Sequence, residues 1–136
     1  MNSLNLFKVA LWGLIFLFTA ALVFHLLVMG DVVPTSIVWG GRIHDREQML
    51  MLETFSLFTN SLFLFIVLLK AGIIKIGVPN LVIQIGLWVM SAMFLLNTAG
   101  NFFSQNSLEK AIFTPVTFLS AIFCIILAMN KKKMNR

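Results

Sequence analysis

The sequence predicts an all-α membrane protein, a polytopic bundle of four transmembrane helices with a partly helical first outer loop. Hydrophobic residues make up 60% of the 136 residues and charged residues only 11%, whereas a soluble domain has about 25% charged residues. Because a chain this small has a large surface for its volume, lipid must be the solvent for most of that surface. In addition, four apolar segments approach the roughly 20 helical residues that cross a hydrocarbon core of about 30 Å.

The four predicted spans form one integral membrane domain, residues 1–136, and cover 6–29, 49–69, 80–97 and 111–129. The first apolar run, Val9 to Met29, is longer than the core of a signal peptide, so we expect a retained span. The uncharged part of the second span is short, which places Glu53 at or inside the membrane boundary. Pro79 suits the first turn of the third span.

Helix breaks and caps define the connections between these spans. Gly30 and Pro34 oppose a continued helix after the first span, and the chain is expected to become helical again from Arg42. Asn106, with Glu109 three residues later, is typical of a helix start ahead of the fourth span. Pro115 then falls inside that helix.

The distribution of basic residues predicts the orientation. An even number of spans puts both termini on one side. That side holds Lys8, Lys70, Lys75, Lys131, Lys132, Lys133 and Arg136, whereas the other side holds Arg42, Arg46 and Lys110. The positive-inside rule therefore predicts that both termini are cytoplasmic. We expect the membrane to be the plasma (inner) membrane of a bacterium. Because the net charge of +5 lies beside membrane spans, we expect membrane lipids as partners and no nucleic acid.

A polar face runs along the second span. If residues 42–60 form one helix, six residues repeat at steps of three and four and share one face: Arg42, Arg46, Met49, Glu53, Ser56 and Asn60. Below Asn60 the same face continues as Phe63 and Val67, so its polarity stops near mid-membrane. A charge at the bilayer centre costs about 2.5–3.5 kcal/mol on insertion scales, so Glu53 needs a partner or a cavity.

The candidate site is built around this carboxylate. We expect Glu53 to be the charged anchor of a polar pocket, with Arg42 or Arg46 beside it. Other polar groups of the spans would orient a ligand through hydrogen bonds: Ser56, Asn60, Asn97, Asn101 and Thr117. A purely structural interpretation stays open, because Asn, Ser and Thr often join membrane helices, and surface charges often form only solvated ion pairs.

Three functions fit these observations. The first is an integral membrane protein whose pocket opens to the outer leaflet and binds a small molecule, a lipid or an ion. The second is an enzyme acting on a lipid or isoprenoid, with Glu53 as general acid or base and His25 as its partner. The third is a scaffold or accessory subunit. Two histidines and one cysteine show no metal-site spacing, and no glycine-rich phosphate loop occurs, so no metal or cofactor is expected. The oligomeric state is open.

Overall fold

Four long helices make up the fold in a computed structural model that describes residues 3–39, 43, 45–104 and 106–130. The helices are α1 (Ser3–Met29), α2 (Arg46–Ala71), α3 (Asn80–Phe102) and α4 (Ser107–Met129). All four are long and apolar enough to cross a membrane. The predicted fold class, an all-α four-helix bundle of a multi-pass membrane protein, is therefore confirmed.

The ends of α2 are set by one cap at each side. Asp45 precedes the helix, and its Oδ1 accepts a hydrogen bond of 2.7 Å from the backbone N–H of Gln48. The helix ends at Ala71 and is capped by Gly72, whose φ of 72° is the left-handed conformation that favours glycine. Ile43 is not helical. Arg42 itself lies outside the described residues. The assumed continuous helix over residues 42–60 is wrong, because Ile43 lies outside any helix and Asp45, the cap of α2, has an extended backbone.

The boundaries of α3 and α4 differ from the predicted spans in small ways. Pro79 lies immediately before α3, as its cap, and α3 continues past the expected end at residue 97 to Phe102. The predicted start of α4 is confirmed, because Oδ1 of Asn106 accepts a hydrogen bond of 3.0 Å from the N–H of Leu108. Pro115 lies inside α4, as expected.

The helices follow one another up and down around the bundle. α3 packs most extensively against α4, and α1 packs against both α2 and α4. The α1–α2 and α3–α4 connections lie together at one end, which we name the loop end, where Nδ2 of Asn106 donates to the carbonyl of Ser36 over 2.8 Å. The opposite end, which we name the terminal end, holds the α2–α3 connection and the beginning of α1.

Aromatic side chains fill the middle of the bundle. Phe18, Phe63 and Phe94 come from three different helices and are buried together, with ring centroids 5.7–5.9 Å apart. Tilted and offset rings at this distance contribute about 0.5–1.5 kcal/mol per pair beyond their burial. Glycine allows a close approach beside them: a Cβ on Gly13 of α1 would lie 2.5 Å from the ring of Phe123 on α4.

Two polar side chains at the terminal end donate hydrogen bonds to backbone carbonyls at the end of α4. The ammonium group of Lys70, a buried residue of α2, donates to the backbone carbonyl of Asn130. Nε2 of Gln84 on α3 donates to the carbonyl of Ala128 over 2.8 Å. The last carbonyls of a helix have no partner within the helix, so α2 and α3 satisfy the end of α4 and fix its depth in the bundle.

Candidate functional site

Glu53 lies two turns inside α2 and is fully buried, with 0% of its surface exposed. Its two carboxylate oxygens have different partners. Oε2 shares a hydrogen bond of 2.6 Å with Nδ1 of His25 on α1. Oε1 accepts a hydrogen bond of 2.7 Å from the indole Nε1–H of Trp39 in the α1–α2 connection. We name these three residues, His25, Trp39 and Glu53, the Glu53 cluster.

The predicted face of α2 positions this carboxylate. Met49, Glu53, Phe63 and Val67 are all buried, as the steps of three and four residues require for one face turned into the bundle. A buried carboxylate is tolerated only when its oxygens find donors, because burial removes it from water. The Glu53 cluster supplies those donors from two other parts of the chain.

His25 lies one turn before the end of α1, and its position fixes which ring nitrogen is available. Nδ1 is held by Glu53, and Nε2 has no hydrogen-bond partner among the described residues. The side chain is 17% exposed, so the ring is not sealed from its surroundings. The ring of Phe24 packs edge-on against it, with centroids 5.8 Å apart, and Phe113 of α4 contacts Phe24 in turn.

Trp39 reaches Glu53 through an uncommon backbone conformation. Its φ is 56°, in the left-handed region, which costs a residue with a side chain about 1–2 kcal/mol. Such conformations persist only when the surrounding packing determines them. Here Val38 is buried against Val28 and Met49, and Trp39 packs on the same cluster. Burial of one such side chain contributes about 1.5–3 kcal/mol, which is enough to offset the strain.

Two exposed polar contacts link the α1–α2 connection to α2 and to the start of α4. Nη1 of Arg46 donates to Oδ2 of Asp31 over 2.8 Å, and more than half of each side chain is exposed. The second contact is the hydrogen bond from Asn106 to Ser36, which is also exposed. Exposed ion pairs contribute about 0–1 kcal/mol, so neither contact fastens the connection strongly.

The arrangement has a definite chemistry. A carboxylate bonded to one nitrogen of an imidazole orients the ring and leaves the second nitrogen to bind a ligand, hold a metal or move a proton. A protein metal site usually needs several ligands. No group of three His, Cys, Asp or Glu side chains that could hold a metal occurs in the described part of the chain. The available group is therefore the single ring nitrogen of His25.

The structure does not pair Arg46 with Glu53. Arg46 points to Asp31 instead, because it lies two turns before Glu53, where α2 is exposed and an acidic partner is at hand. Arg42 lies outside the described residues. Among the residues that are described, only His25 and Trp39 form hydrogen bonds to the carboxylate of Glu53.

The predicted amide and hydroxyl residues also have partners elsewhere. Nδ2 of Asn60 donates to the carbonyl of Ser56 within α2, over 2.9 Å. The hydroxyl of Thr117 lies 2.9 Å from that of Thr98 and joins α4 to α3. Asn97 is exposed and Asn101 is half-buried. None of these predicted residues forms a hydrogen bond to Glu53.

Sequence reasoning missed two residues of this region, Trp39 as a donor to Glu53 and Thr98 as the partner of Thr117. A tryptophan after an apolar stretch indicates only a membrane interface, and nothing in the local pattern predicts a left-handed backbone at that residue. Thr98 follows Asn97 directly and could have been found as the hydroxyl-bearing neighbour of a predicted site residue.

No protein-family model matches this chain, and comparisons with curated proteins and with solved structures found no match either.

We expect Glu53→Gln to lower the free energy of unfolding by about 1–3 kcal/mol. His25 and Trp39 bond to different oxygens of Glu53, whereas only one of the two end atoms of an amide can accept a hydrogen bond, so one buried donor loses its acceptor. The measurement is reversible denaturation of detergent-purified protein. Arg46→Gln is the matched control on the same helix, and we expect a change of at most about 1 kcal/mol because its ion pair is exposed. Equal losses in the two variants would contradict the special role of the buried carboxylate.

Proposed function

We propose that this chain is an integral membrane protein that binds a small molecule, a lipid or an ion at the loop end of its bundle through the Glu53 cluster. The carrying observation is that Glu53 is fully buried in a membrane-spanning helix and bonded to His25, whose second ring nitrogen is free of described partners. Ionisable residues within membrane spans are costly and are functional by default.

Stability alone does not account for this cluster. A buried pair of ionisable groups can often be replaced by apolar residues of similar volume without loss of stability. The contact between Phe18 and Phe63 shows that this bundle packs apolar side chains between the same two helices, α1 and α2, two to three turns away. A functional need for the polar groups therefore explains the position of Glu53 more simply than a contribution to stability does.

The proposal assigns different roles to the members of the cluster. His25 contacts the ligand through Nε2, because this is the polar atom of the pair without a described partner. Glu53 is the charged anchor that holds the ring and fixes which nitrogen carries the proton. Asn97 and Asn101, near the loop end of α3, remain proposed polar positions of the same pocket.

A second candidate is a membrane enzyme that acts on a lipid or isoprenoid. The hydrogen bond from His25 to Glu53 favours it, because a carboxylate on Nδ1 prepares Nε2 to act as a general base. In this candidate His25 would be the catalytic residue and Glu53 its positioning residue, since Glu53 is fully buried and His25 is not.

We further propose the plasma (inner) membrane of a bacterium as the location, with both termini cytoplasmic. All five acidic residues belong to the loop end by their place in the chain, and seven of the ten basic residues belong to the terminal end. This asymmetry supports an outward-facing loop end by the positive-inside rule.

Orientation is testable with single cysteines in intact cells. We expect Glu47→Cys, an exposed position at the loop end, to react with a membrane-impermeant maleimide added outside. Lys75→Cys, an exposed position at the terminal end, should react only after permeabilisation. The natural Cys124 is buried and gives the background. The reverse pattern would contradict the proposed orientation.

Ligand binding is testable through thermal stability of the detergent-purified protein, with and without a total membrane lipid extract. A molecule that binds only the folded state raises its stability by mass action, by about 2.7 kcal/mol at a hundredfold excess over Kd. We expect the extract to raise the melting temperature of the wild type but not that of His25→Asn or Glu53→Gln.

Glu47→Gln is the matched control for this measurement, because it removes an exposed carboxylate from the same helix. It should respond to the extract as the wild type does. If all variants respond alike, the Glu53 cluster is structural and the protein is better described as a scaffold or accessory subunit. Mass spectrometry of the recovered extract separates the two leading candidates, because only an enzyme changes the chemistry of a component.

A further inference from the structure

The two oxygens of Glu53 have hydrogen-bond partners in different parts of the chain. Oε2 is bonded to His25 of α1, whereas Oε1 accepts from the indole N–H of Trp39 in the α1–α2 connection. We propose that a ligand's hydrogen-bond donor replaces this indole N–H when the site is occupied. The ligand is an amphiphile with a hydroxyl or amino head group. Residues 31–39, which we name the lid, must move away from Glu53 before that head group can reach the carboxylate. This inference rests on the proposed function and adds to it the class of ligand and the way that the site opens.

The chemistry of Glu53 determines the head group. Oε2 is held by His25 and Oε1 accepts from Trp39. A ligand that takes the place of Trp39 must bring its own N–H or O–H, because a buried carboxylate oxygen without a donor is strongly unfavourable. A head group that only accepts hydrogen bonds, such as an ether or a ketone, leaves Oε1 unsatisfied.

The surroundings of His25 favour a molecule with an apolar body. Phe24 packs edge-on against the imidazole, and Phe113 of α4 packs edge-on against Phe24. The site lies one to two turns inside α1 and α2, both of which are apolar enough to cross a membrane. An amphiphile can therefore place its head at Oε1 while its chain lies along apolar side chains and lipid.

Trp39 is the partner that can move, and His25 is not. His25 lies within α1 and is fixed by the helix backbone. Trp39 lies in a connection, in a left-handed conformation that it no longer needs once it leaves Glu53. The left-handed residue Asp31, φ 57°, stands at the other end of the lid.

The contacts between the lid and the rest of the protein are weak enough for the lid to open. The ion pair from Asp31 to Arg46 and the hydrogen bond from Asn106 to Ser36 are both exposed. Among the described side chains of the lid, Val38 is buried, and Val33 and Trp39 pack against the same apolar cluster while only partly buried. Few buried contacts and exposed polar fastenings are the properties of segments that open locally.

The test measures access to Glu53 with a hydrophobic carbodiimide, which modifies carboxyl groups within membranes. The modified residue is located by mass spectrometry of the full-length protein in lipid nanodiscs, and Glu53→Gln shows which signal belongs to Glu53. We expect Trp39→Phe, which keeps an aromatic ring but removes the N–H, to raise the modification rate about tenfold, as the loss of a hydrogen bond to a charged group implies. Trp12→Phe, at an exposed tryptophan of α1, is the matched control and should match the wild type.

Asp31→Asn provides a second route that leaves the Glu53 cluster intact. It removes the ion pair to Arg46 and keeps a residue that tolerates a left-handed backbone. We expect a smaller rise in the modification rate. If Trp39→Phe does not fold, this variant alone decides whether the lid opens. An unchanged rate in the folded variants overturns the proposal.

The head group is tested in Trp39→Phe with a long-chain alkyl alcohol, the amine of the same chain and the corresponding methyl ether. We expect the alcohol or the amine to protect Glu53 from modification and the ether not to protect it, and the stronger of the two protectors identifies the head. Equal protection by the ether overturns the inference about the ligand. This outcome is distinct from failure of the proposed function, because faster modification of Trp39→Phe shows an opening lid even if no extract component binds.

Discussion

A carboxylate without water inside a membrane-spanning helix is the constraint on which the loop end of this protein depends. Glu53 has no exposed surface, so each of its oxygens must receive a donor from the protein. One donor comes from α1 and the other from the α1–α2 connection. These two hydrogen bonds join α1 to α2 and hold Trp39 of the connection against Glu53, beside the apolar packing of Val38.

Buried polar groups find hydrogen-bond partners in different ways at the two ends of the bundle. At the terminal end, Lys70 and Gln84 satisfy the last carbonyls of α4 and join it to α2 and α3. The middle is apolar, with Phe18, Phe63 and Phe94 in mutual contact. At the loop end the polar contacts are between side chains, where Glu53 bonds to His25 and Trp39.

Local sequence patterns predicted the helices and the burial of Glu53, because both depend on spacing within one segment. Apolar length gives the spans, Asn106 gives the start of α4, and steps of three and four residues place Glu53 on the inward face of α2. The partners of Glu53 were harder to predict, because they come from residues 14 and 28 positions away. The expected pairing with Arg46 followed from the same helix face, whereas the folded connection brings Asp31 to that arginine. Tertiary contacts of this kind depend on how the connection turns. Gly40 and Gly41 follow Trp39 in the sequence, but the left-handed conformation falls on Trp39 itself, a residue type that rarely adopts it.

The most direct test of this account is nitrogen NMR of isotope-labelled histidine in the membrane-embedded protein, with His25 assigned by comparison with a His44→Gln variant. The account predicts that Nδ1 of His25 carries a proton in a short hydrogen bond, seen as a far-downfield proton resonance that persists in Glu47→Gln and disappears in Glu53→Gln. A His25 ring that exchanges freely between tautomers in the wild type, or that is unchanged in Glu53→Gln, would contradict the buried pair and the site built on it.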